Sequence, residues 1–195
     1  MEISKCSLIA HNSGATIARV IAIEKPNLIE KLILINTEIP NHRPPWIPFY
    51  QRVGLLPLVP NLIRKALSQN WFIKSSMGFK EAYTDISMLN NPNNLAPYIK
   101  PIISSKKRTI GAFKYLKGID WRIVDSFKES HKKIKAKTLF IWGENDKTFP
   151  IKYAKEMIKQ FNEHCKLIKI SGASLLPHEE KSEEVGNLIF EYLEE

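Results

Sequence analysis

Short apolar runs and stretches of helical periodicity alternate near both ends of the chain. The four runs that predict buried strands are residues 7–10, 31–36, 137–143 and 166–170. After the first run, apolar residues recur at helical spacing from Ile17 to Ala22, and Pro26 ends that helix. Further helices are predicted at about 151–161 and 179–193. Strands that alternate with helices imply right-handed crossovers, so the sequence predicts an α/β protein with a parallel sheet of about four strands.

The interval from residue 40 to residue 135 contains no convincing strand. Many prolines divide it into short pieces that are predicted to be helical, and aromatic residues are frequent there. We therefore interpret 40–135 as an inserted helical cap, with 1–39 and 136–195 forming the core. Trp46 and the other aromatic residues of the cap either line a pocket for a small apolar molecule or form the cap's own core.

The sequence from Ala10 to Gly14 has the layout of a sharp strand-to-helix turn. Such a turn requires small residues two positions before and after its centre, where a side chain branch has no room, and Ala10 and Gly14 meet that need around Asn12. Centring the turn on Ser13 would place the bulky His11 at a small-residue position, so Asn12 holds the pivotal place. Neighbouring residues of a strand point to opposite faces, which argues against His11 as a base acting at Asn12.

Five features in this order resemble the α/β-hydrolase superfamily, and within it the haloalkane dehalogenase and epoxide hydrolase branch. They are the turn at Asn12, residues 36–40, the helical insertion, the strand end at 141–146 and the loop at 172–180. The resemblance implies a partial α/β-hydrolase fold whose parallel sheet has flanking helices and an inserted helical cap. It also implies a hydrolase that acts on ester, carbon–halogen or epoxide bonds.

The resemblance assigns positions to four residues. Asn12 stands at the nucleophile position, which is an aspartate in that branch and a serine in esterase relatives, and Asp146 stands at the acid position. Leu175 occupies the place of the catalytic histidine, and the Ser13 N–H is a candidate oxyanion-hole donor. A carboxamide has no anionic oxygen for attack, and leucine cannot move a proton. We therefore expect a catalytically impaired protein that retains binding of a small apolar molecule, with an active hydrolase as the alternative.

Three nearby residues have alternative interpretations. His178 lies three residues beyond Leu175, and a slip of that length moves the ring several ångströms against a tolerance of about 1 Å, so capping or packing beside the last helix is preferred. Glu38 is either an alternative acid or an exposed turn residue. Asp146 also suits local hydrogen bonding in an Asx-type turn.

The superfamily normally has several strands before the turn, together with a loop that supplies the second oxyanion-hole N–H. This chain starts at the turn's own strand, so we expect a truncated form. Its first strand would present an apolar, unpaired edge that is open to a partner chain.

Composition and charge exclude several classes of function. With 44% hydrophobic and 25% charged residues the chain is ordinary for a globular protein, and we expect it to be cytoplasmic because it has no signal pattern and no apolar run of about 18 residues. The net charge of +9 makes binding of nucleic acid or of a membrane surface a second alternative, but the lysines are spread widely and neither partner is favoured. Cys6, Cys165 and the five histidines lack ligand spacing, and no glycine-rich phosphate loop is present, so no metal or cofactor is expected.

Overall fold

The computed structural model describes residues 3–161 and 164–195. In chain order its elements are β1 (Cys6–His11), α1 (Ser13–Glu24), β2 (Ile29–Ile35), α2 (Trp46–Val53), α3 (Val59–Ala66), α4 (Asn70–Ile73), α5 (Pro92–Ile103), α6 (Lys106–Lys117), α7 (Trp121–Ser130), β3 (Lys137–Gly143), α8 (Ile151–Ile158), β4 (Cys165–Ile170), α9 (Pro177–Glu180) and α10 (Ser182–Glu194), with short 3-10 turns at Lys80–Ala82, Ile86–Asn90 and His131–Lys133.

The chain divides into two compact units. The first unit combines Met1–His42 with Arg122–Glu195, and the second is Arg43–Trp121. The second unit is shorter than the predicted insertion at 40–135, because the Phe127 side chain of α7 is buried within the first unit.

One parallel sheet organises the first unit, and its strand order is β1-β2-β3-β4. The pairing is regular: Leu8 lies opposite Leu32, and Leu32 lies opposite Thr138. Each strand continues into a helix before the next strand of the sheet begins, as parallel neighbours require. The predicted α/β class and the four-stranded parallel sheet are confirmed.

Helices cover both faces of this sheet. On one face α1 and α8 pack against apolar side chains of β2 and β3, and on the other face α10 does so. The fully buried side chains of the central strands are Leu32, Ile33, Leu34, Leu139, Phe140, Ile141 and Trp142. Because β2 and β3 are buried on both faces, their sequences are nearly continuous apolar runs, which is why the sequence located them well.

Two details of the first strand and helix differ from prediction. The strand at 7–10 was expected to be buried with one unpaired edge; among the described strands β1 does lie at the edge of the sheet, but Ile9 is 47% exposed. In α1 the buried face consists of Ala15, Ala18, Arg19 and Ala22, whereas Ile17 is 55% exposed. Three small alanine side chains thus share the buried face of α1 with the long side chain of Arg19.

The last predicted helix is also different, because it is divided. Residues 179–193 were expected to form one helix, but α9 ends at Glu180 and α10 begins at Ser182. Lys181 between them has backbone angles, φ −136° and ψ 51°, that are not helical and separate the two helices. The helix predicted at 151–161 ends earlier, at Ile158.

The second unit is helical throughout its regular elements, as predicted. Helices α2, α3 and α5 all pack against α6, where Phe113 is buried. An added Cβ on Gly54 would lie 2.3 Å from the Phe113 ring, so the glycine permits this close approach. Not every proline ends a helix: Pro97 and Pro101 lie inside α5, and both are exposed.

Candidate functional site

The turn between β1 and α1 has an unusual backbone at Asn12. Its φ of 54° and ψ of −130° lie outside the common regions for a residue with a side chain. The Asn12 N–H donates to the carbonyls of Ile35 and Asn36 at 3.1 and 2.8 Å, and its carbonyl accepts from the Thr37 hydroxyl at 2.9 Å. Strain of this kind costs on the order of 1–3 kcal/mol, and it persists only where surrounding contacts fix it.

The space around Gly14 does not by itself require a small residue at this turn. A Cβ added to Gly14 would meet no described atom within 4 Å, so a small residue is not required there by packing. Asparagine is among the side chains that best tolerate positive φ, which suits Asn12 to the central position. Ser13 is the first residue of α1, and its N–H therefore points from the positive end of the helix dipole.

Asp146 is buried where β3 leaves the sheet. Its Oδ1 accepts from the N–H groups of Thr148 and Phe149 at 2.7 and 3.0 Å, and its Oδ2 accepts from the Asn36 amide at 2.6 Å. Burial raises the pKa of this carboxyl, while these hydrogen bonds and the nearby His42 oppose the rise. The two backbone contacts are those of an Asx-type turn, so that structural role is confirmed. Its role as the acid of a catalytic group stays a prediction.

Asn36 connects the ends of the three neighbouring strands. It has a positive φ of 25°, its carbonyl accepts from Asn12, and its side chain oxygen accepts from the Gly143 N–H at 3.0 Å. The same side chain donates to Asp146. The predicted nucleophile and acid positions are thus linked through Asn36, whose backbone carbonyl contacts the Asn12 N–H and whose side chain contacts Asp146.

Leu175 lies in the loop after β4, half-buried against the core cluster that includes Trp142. Its carbonyl accepts a hydrogen bond of 2.9 Å from His11 Nε2, which fixes that nitrogen as the protonated one. This loop lies so close to β3 that a Cβ added to Gly143 would be only 1.9 Å from the Ser174 carbonyl oxygen.

The sequence analysis missed a pair of histidines beside this loop. The rings of His11 and His178 meet edge to face with centroids 4.6 Å apart, and the buried His178 Nδ1 has no hydrogen-bond partner among the described residues. Burial lowers the pKa of His11 to about 4 and also lowers the pKa of His178, while the nearby Glu179 opposes both changes. Both rings are neutral at pH 7. His178 lies within α9, and its ring packs against that of His11.

The alternation of side chains along β1 does not keep His11 away from the loop that contains Leu175, because Asn12 lies beyond the end of the strand. His11 is the last residue of β1, and its ring reaches the loop that follows β4 at the opposite edge of the sheet. The signal available in the sequence was the meeting of strand carboxyl ends at a single edge of a parallel sheet.

Glu38 is not an exposed turn residue, since only 1% of it is accessible. Its Oε2 accepts from the Thr16 hydroxyl at 2.7 Å and shares the proton of the Thr37 hydroxyl, 3.1 Å away, with the Asn12 carbonyl. Both hydroxyls also accept from Nη2 of the fully buried Arg19, at 2.9 and 3.0 Å. The carboxylate and the guanidinium are therefore joined through two hydroxyl bridges, and a role for Glu38 as an alternative acid stays a prediction.

Arg19 is enclosed on its remaining sides. Its guanidinium lies 4.3 Å from the centre of the Phe127 ring, and its Nη1 lies 3.3 Å from His131 Nε2. Burial lowers the pKa of Arg19 to about 10, opposed by Glu38, and burial together with Arg19 lowers the pKa of His131 to about 2. His131 is therefore neutral, and Nε2 faces the arginine as an acceptor. Thr37 connects this network to the Asn12 carbonyl.

The two thiols and the cavity described next lie away from the carboxyl ends of the strands, where Asn12 is found. Cys6 and Cys165 are both free and half-buried, and burial raises the pKa of Cys165 to about 12. A cavity of about 200 Å³ between residues such as Thr138 and Phe161 lies at the amino ends of β3 and β4, opposite the edge that holds Asn12. Within 3–161 and 164–195 no three metal-binding side chains cluster, and no helix is long and apolar enough to cross a bilayer.

Comparison with known proteins identifies the family. The model of the alpha/beta hydrolase fold family matches residues 2–182. The chain belongs to the α/β hydrolase fold family. No curated protein sequence matches it.

Solved structures support the same fold at low sequence identity. An alpha/beta hydrolase fold protein from Burkholderia ambifaria matches with a TM-score of 0.78 and 14% identity, covering 96% of this chain and 66% of its own. An alpha/beta hydrolase enzyme from a Medee basin deep-sea metagenome library matches at 0.73 and 18%, covering 99% and 66%. The enol-lactonase from Burkholderia xenovorans LB400 matches at 0.71 and 16%, covering 99% and 67%. The chain thus spans about two thirds of the length of these structures.

Proposed function

We propose that this α/β hydrolase fold protein binds a small apolar molecule at the Asn12 turn and does not complete hydrolysis, on a fold of the haloalkane dehalogenase and epoxide hydrolase type. The observation that carries the proposal is the backbone of Asn12. The strained conformation is held by hydrogen bonds that the Asn12 N–H donates to Ile35 and Asn36 and by one that its carbonyl accepts from Thr37, yet its side chain is a neutral carboxamide.

The missing chemistry concerns both steps of covalent hydrolysis. In the first step a carboxylate or alkoxide attacks carbon, and the Asn12 amide has neither group. In the second step a general base activates water, and Leu175 presents only a carbonyl that already accepts from His11. Loss of both functions supports binding without turnover.

The pair of histidines favours a second candidate, which is slow hydrolysis with His178 as the base. Its neutral ring has a buried Nδ1 without a hydrogen-bond partner in the described part of the chain. Against this candidate, the ring packs on His11, and the Asn12 position still lacks a nucleophile.

A turnover assay separates these candidates. The purified chain is tested with p-nitrophenyl butyrate, 1-bromobutane and styrene oxide, beside Asn12→Ala and His178→Phe variants. We expect no product above that of Asn12→Ala. Product that disappears in Asn12→Ala would refute the proposal, and product that disappears only in His178→Phe would establish the second candidate.

Two further measurements complete the test. Intact mass spectrometry confirms that Asn12 has not deamidated, a change of about one mass unit that would create a carboxylate. Binding is measured as the shift in thermal midpoint with 1-bromobutane or styrene oxide, since a ligand that binds only the native state raises it. Absence of any shift at saturating concentrations of either compound contradicts the binding part of the proposal.

The open edge of β1 supports a proposal about partners. Among the described strands β1 pairs only with β2, and Ile9 is 47% exposed. An unpaired edge with apolar side chains is a template for another strand, so we propose that a second polypeptide chain pairs there. Light scattering after gel filtration tests this, with Ile9→Lys as the variant expected to remain monomeric.

A further inference from the structure

The net positive charge of the chain arises from one of its two units. Residues 43–121 contain twelve Lys and Arg but only three Asp and Glu, a net charge of +9. The first unit contains 17 of each kind and is neutral. The lysines are spread widely along the sequence, yet the net charge differs strongly between the two units, because three acidic residues cannot neutralise twelve basic ones.

The same unit exposes large apolar side chains. Leu58 is 72% exposed, Leu62 is 62% exposed and Trp71 is 70% exposed. Leu58 and Leu62 are one helical turn apart at the start of α3, and the exposed Lys65 follows on that face. The outer face of α3 thus combines apolar side chains with a cation.

Helix α6, against which α3 packs, also combines basic side chains with an exposed aromatic one. It contains no acidic residue, and Tyr115 on it is 54% exposed. Its exposed basic residues are Lys106, Lys107, Arg108, Lys114 and Lys117. We call the exposed residues of α3 and α6, with Leu58, the basic apolar surface.

We propose that the basic apolar surface binds the headgroup region of an anionic lipid bilayer. Cationic side chains are attracted to anionic headgroups, and neighbouring leucine and aromatic side chains enter the boundary between headgroups and acyl chains. Nucleic acid would satisfy the cations but offers no apolar phase for Leu58 and Leu62. This binding does not depend on turnover at Asn12.

Sedimentation with lipid vesicles tests the proposal on the full chain. Vesicles of phosphatidylcholine alone are compared with vesicles containing about 30% phosphatidylserine, at about 0.1 and 0.5 M NaCl. We expect binding to the anionic vesicles at the lower salt concentration, strong weakening at the higher one, and little binding to the neutral vesicles.

Charge variants locate the surface. Each basic residue beside an anionic bilayer strengthens binding about fivefold, so Lys106→Glu/Lys107→Glu/Arg108→Glu is expected to weaken it at least about 100-fold. The matched control makes the same charge change in the first unit, at exposed Lys128, Lys152 and Lys155. It is expected to change binding much less.

Apolar variants distinguish lipid from nucleic acid. Leu58→Ser/Leu62→Ser is expected to weaken vesicle binding about tenfold or more, because two leucines no longer enter the bilayer. Binding to a short DNA duplex is measured in parallel. Duplex binding at least as tight as vesicle binding, unchanged by the leucine substitutions, would overturn the proposal in favour of nucleic acid.

Two other results would also overturn it. These are equal binding to neutral and anionic vesicles, and equal loss in the first-unit control. Circular dichroism verifies that each variant is folded, and if the triple variant is not, Lys114→Gln/Lys117→Gln provides the same comparison with an expected loss of about 25-fold.

Discussion

Replacing Arg19 by Met should destabilise the first unit strongly. The arginine is fully buried, and its Nη2 alone contacts both threonine hydroxyls and the Glu38 carbonyl. Methionine fills much of the same volume but leaves the Glu38 carboxylate buried without a cation. The cost arises from that uncompensated charge more than from lost packing.

The magnitude follows from known costs of breaking buried charge pairs. Removing one partner costs about 3–5 kcal/mol, which for a chain of this size lowers the thermal midpoint by roughly 6–20 °C. Glu38→Gln removes the stranded charge, so Arg19→Met/Glu38→Gln should lose about 1–3 kcal/mol less than the sum of the single variants.

Urea unfolding followed by far-UV circular dichroism measures the four free energies of this cycle. Arg19→Lys is the matched control, because it keeps a cation but cannot reach both bridging hydroxyls and the Glu38 carbonyl together. Its loss of stability should lie between those of the wild type and Arg19→Met. Additivity within about 0.5 kcal/mol would show that the two charges are not coupled, and the reasoning would be refuted.

Three other predictions follow from single contacts. His11 has a pKa of about 4 when folded and 6.5 when unfolded, so its contribution to the free energy of unfolding is full above pH 6.5 and falls by at most about 3 kcal/mol as the pH drops to 4; urea titrations should show that His11→Gln removes this part of the pH dependence and leaves the parts due to His131 and His178, whose pKa values are also lowered. Gly143→Ala should lose about 3 kcal/mol or more in urea unfolding because its Cβ meets the Ser174 carbonyl, whereas Gly186→Ala in α10, with open space around it, should lose nothing. Cys165, with a pKa near 12, should resist iodoacetamide at pH 7.5 in the native protein and react after unfolding, as peptide mapping would detect; rapid native labelling would contradict this.

The sequence located the sheet because β2 and β3 are buried on both faces. The buried residues of a strand in that position are nearly all apolar, and such runs stand out from their surroundings. An edge strand gives a weaker signal: β1 was placed correctly, but its exposure at Ile9 depends on which strand lies beside it. Residue types in one strand do not determine its place in the sheet.

The polar interior could not be predicted for a similar reason. Arg19 occupies a helical face of three alanines, and nothing in the periodicity indicates that Phe127, more than a hundred residues later, covers its charge. Likewise, the ring of His11 contacts His178 because the loop after β4 returns past the carboxyl ends of the strands to β1. Both arrangements depend on contacts between distant segments, whereas periodicity reports local neighbours.

The pairing of β2 with β3 has a consequence for how the chain folds. Leu32 lies opposite Thr138, so the whole second unit is inserted in the sequence between two strands that are hydrogen-bonded neighbours. Closing so long a loop slows the formation of that contact, although the loss of equilibrium stability grows only with the logarithm of loop length. The contacts among the helices of the second unit, including those of α2 and α3 with α6, span shorter stretches of chain than the pairing of Leu32 with Thr138, so they can form before the sheet closes. The order of folding is therefore expected to run from the inserted helices to the central strands.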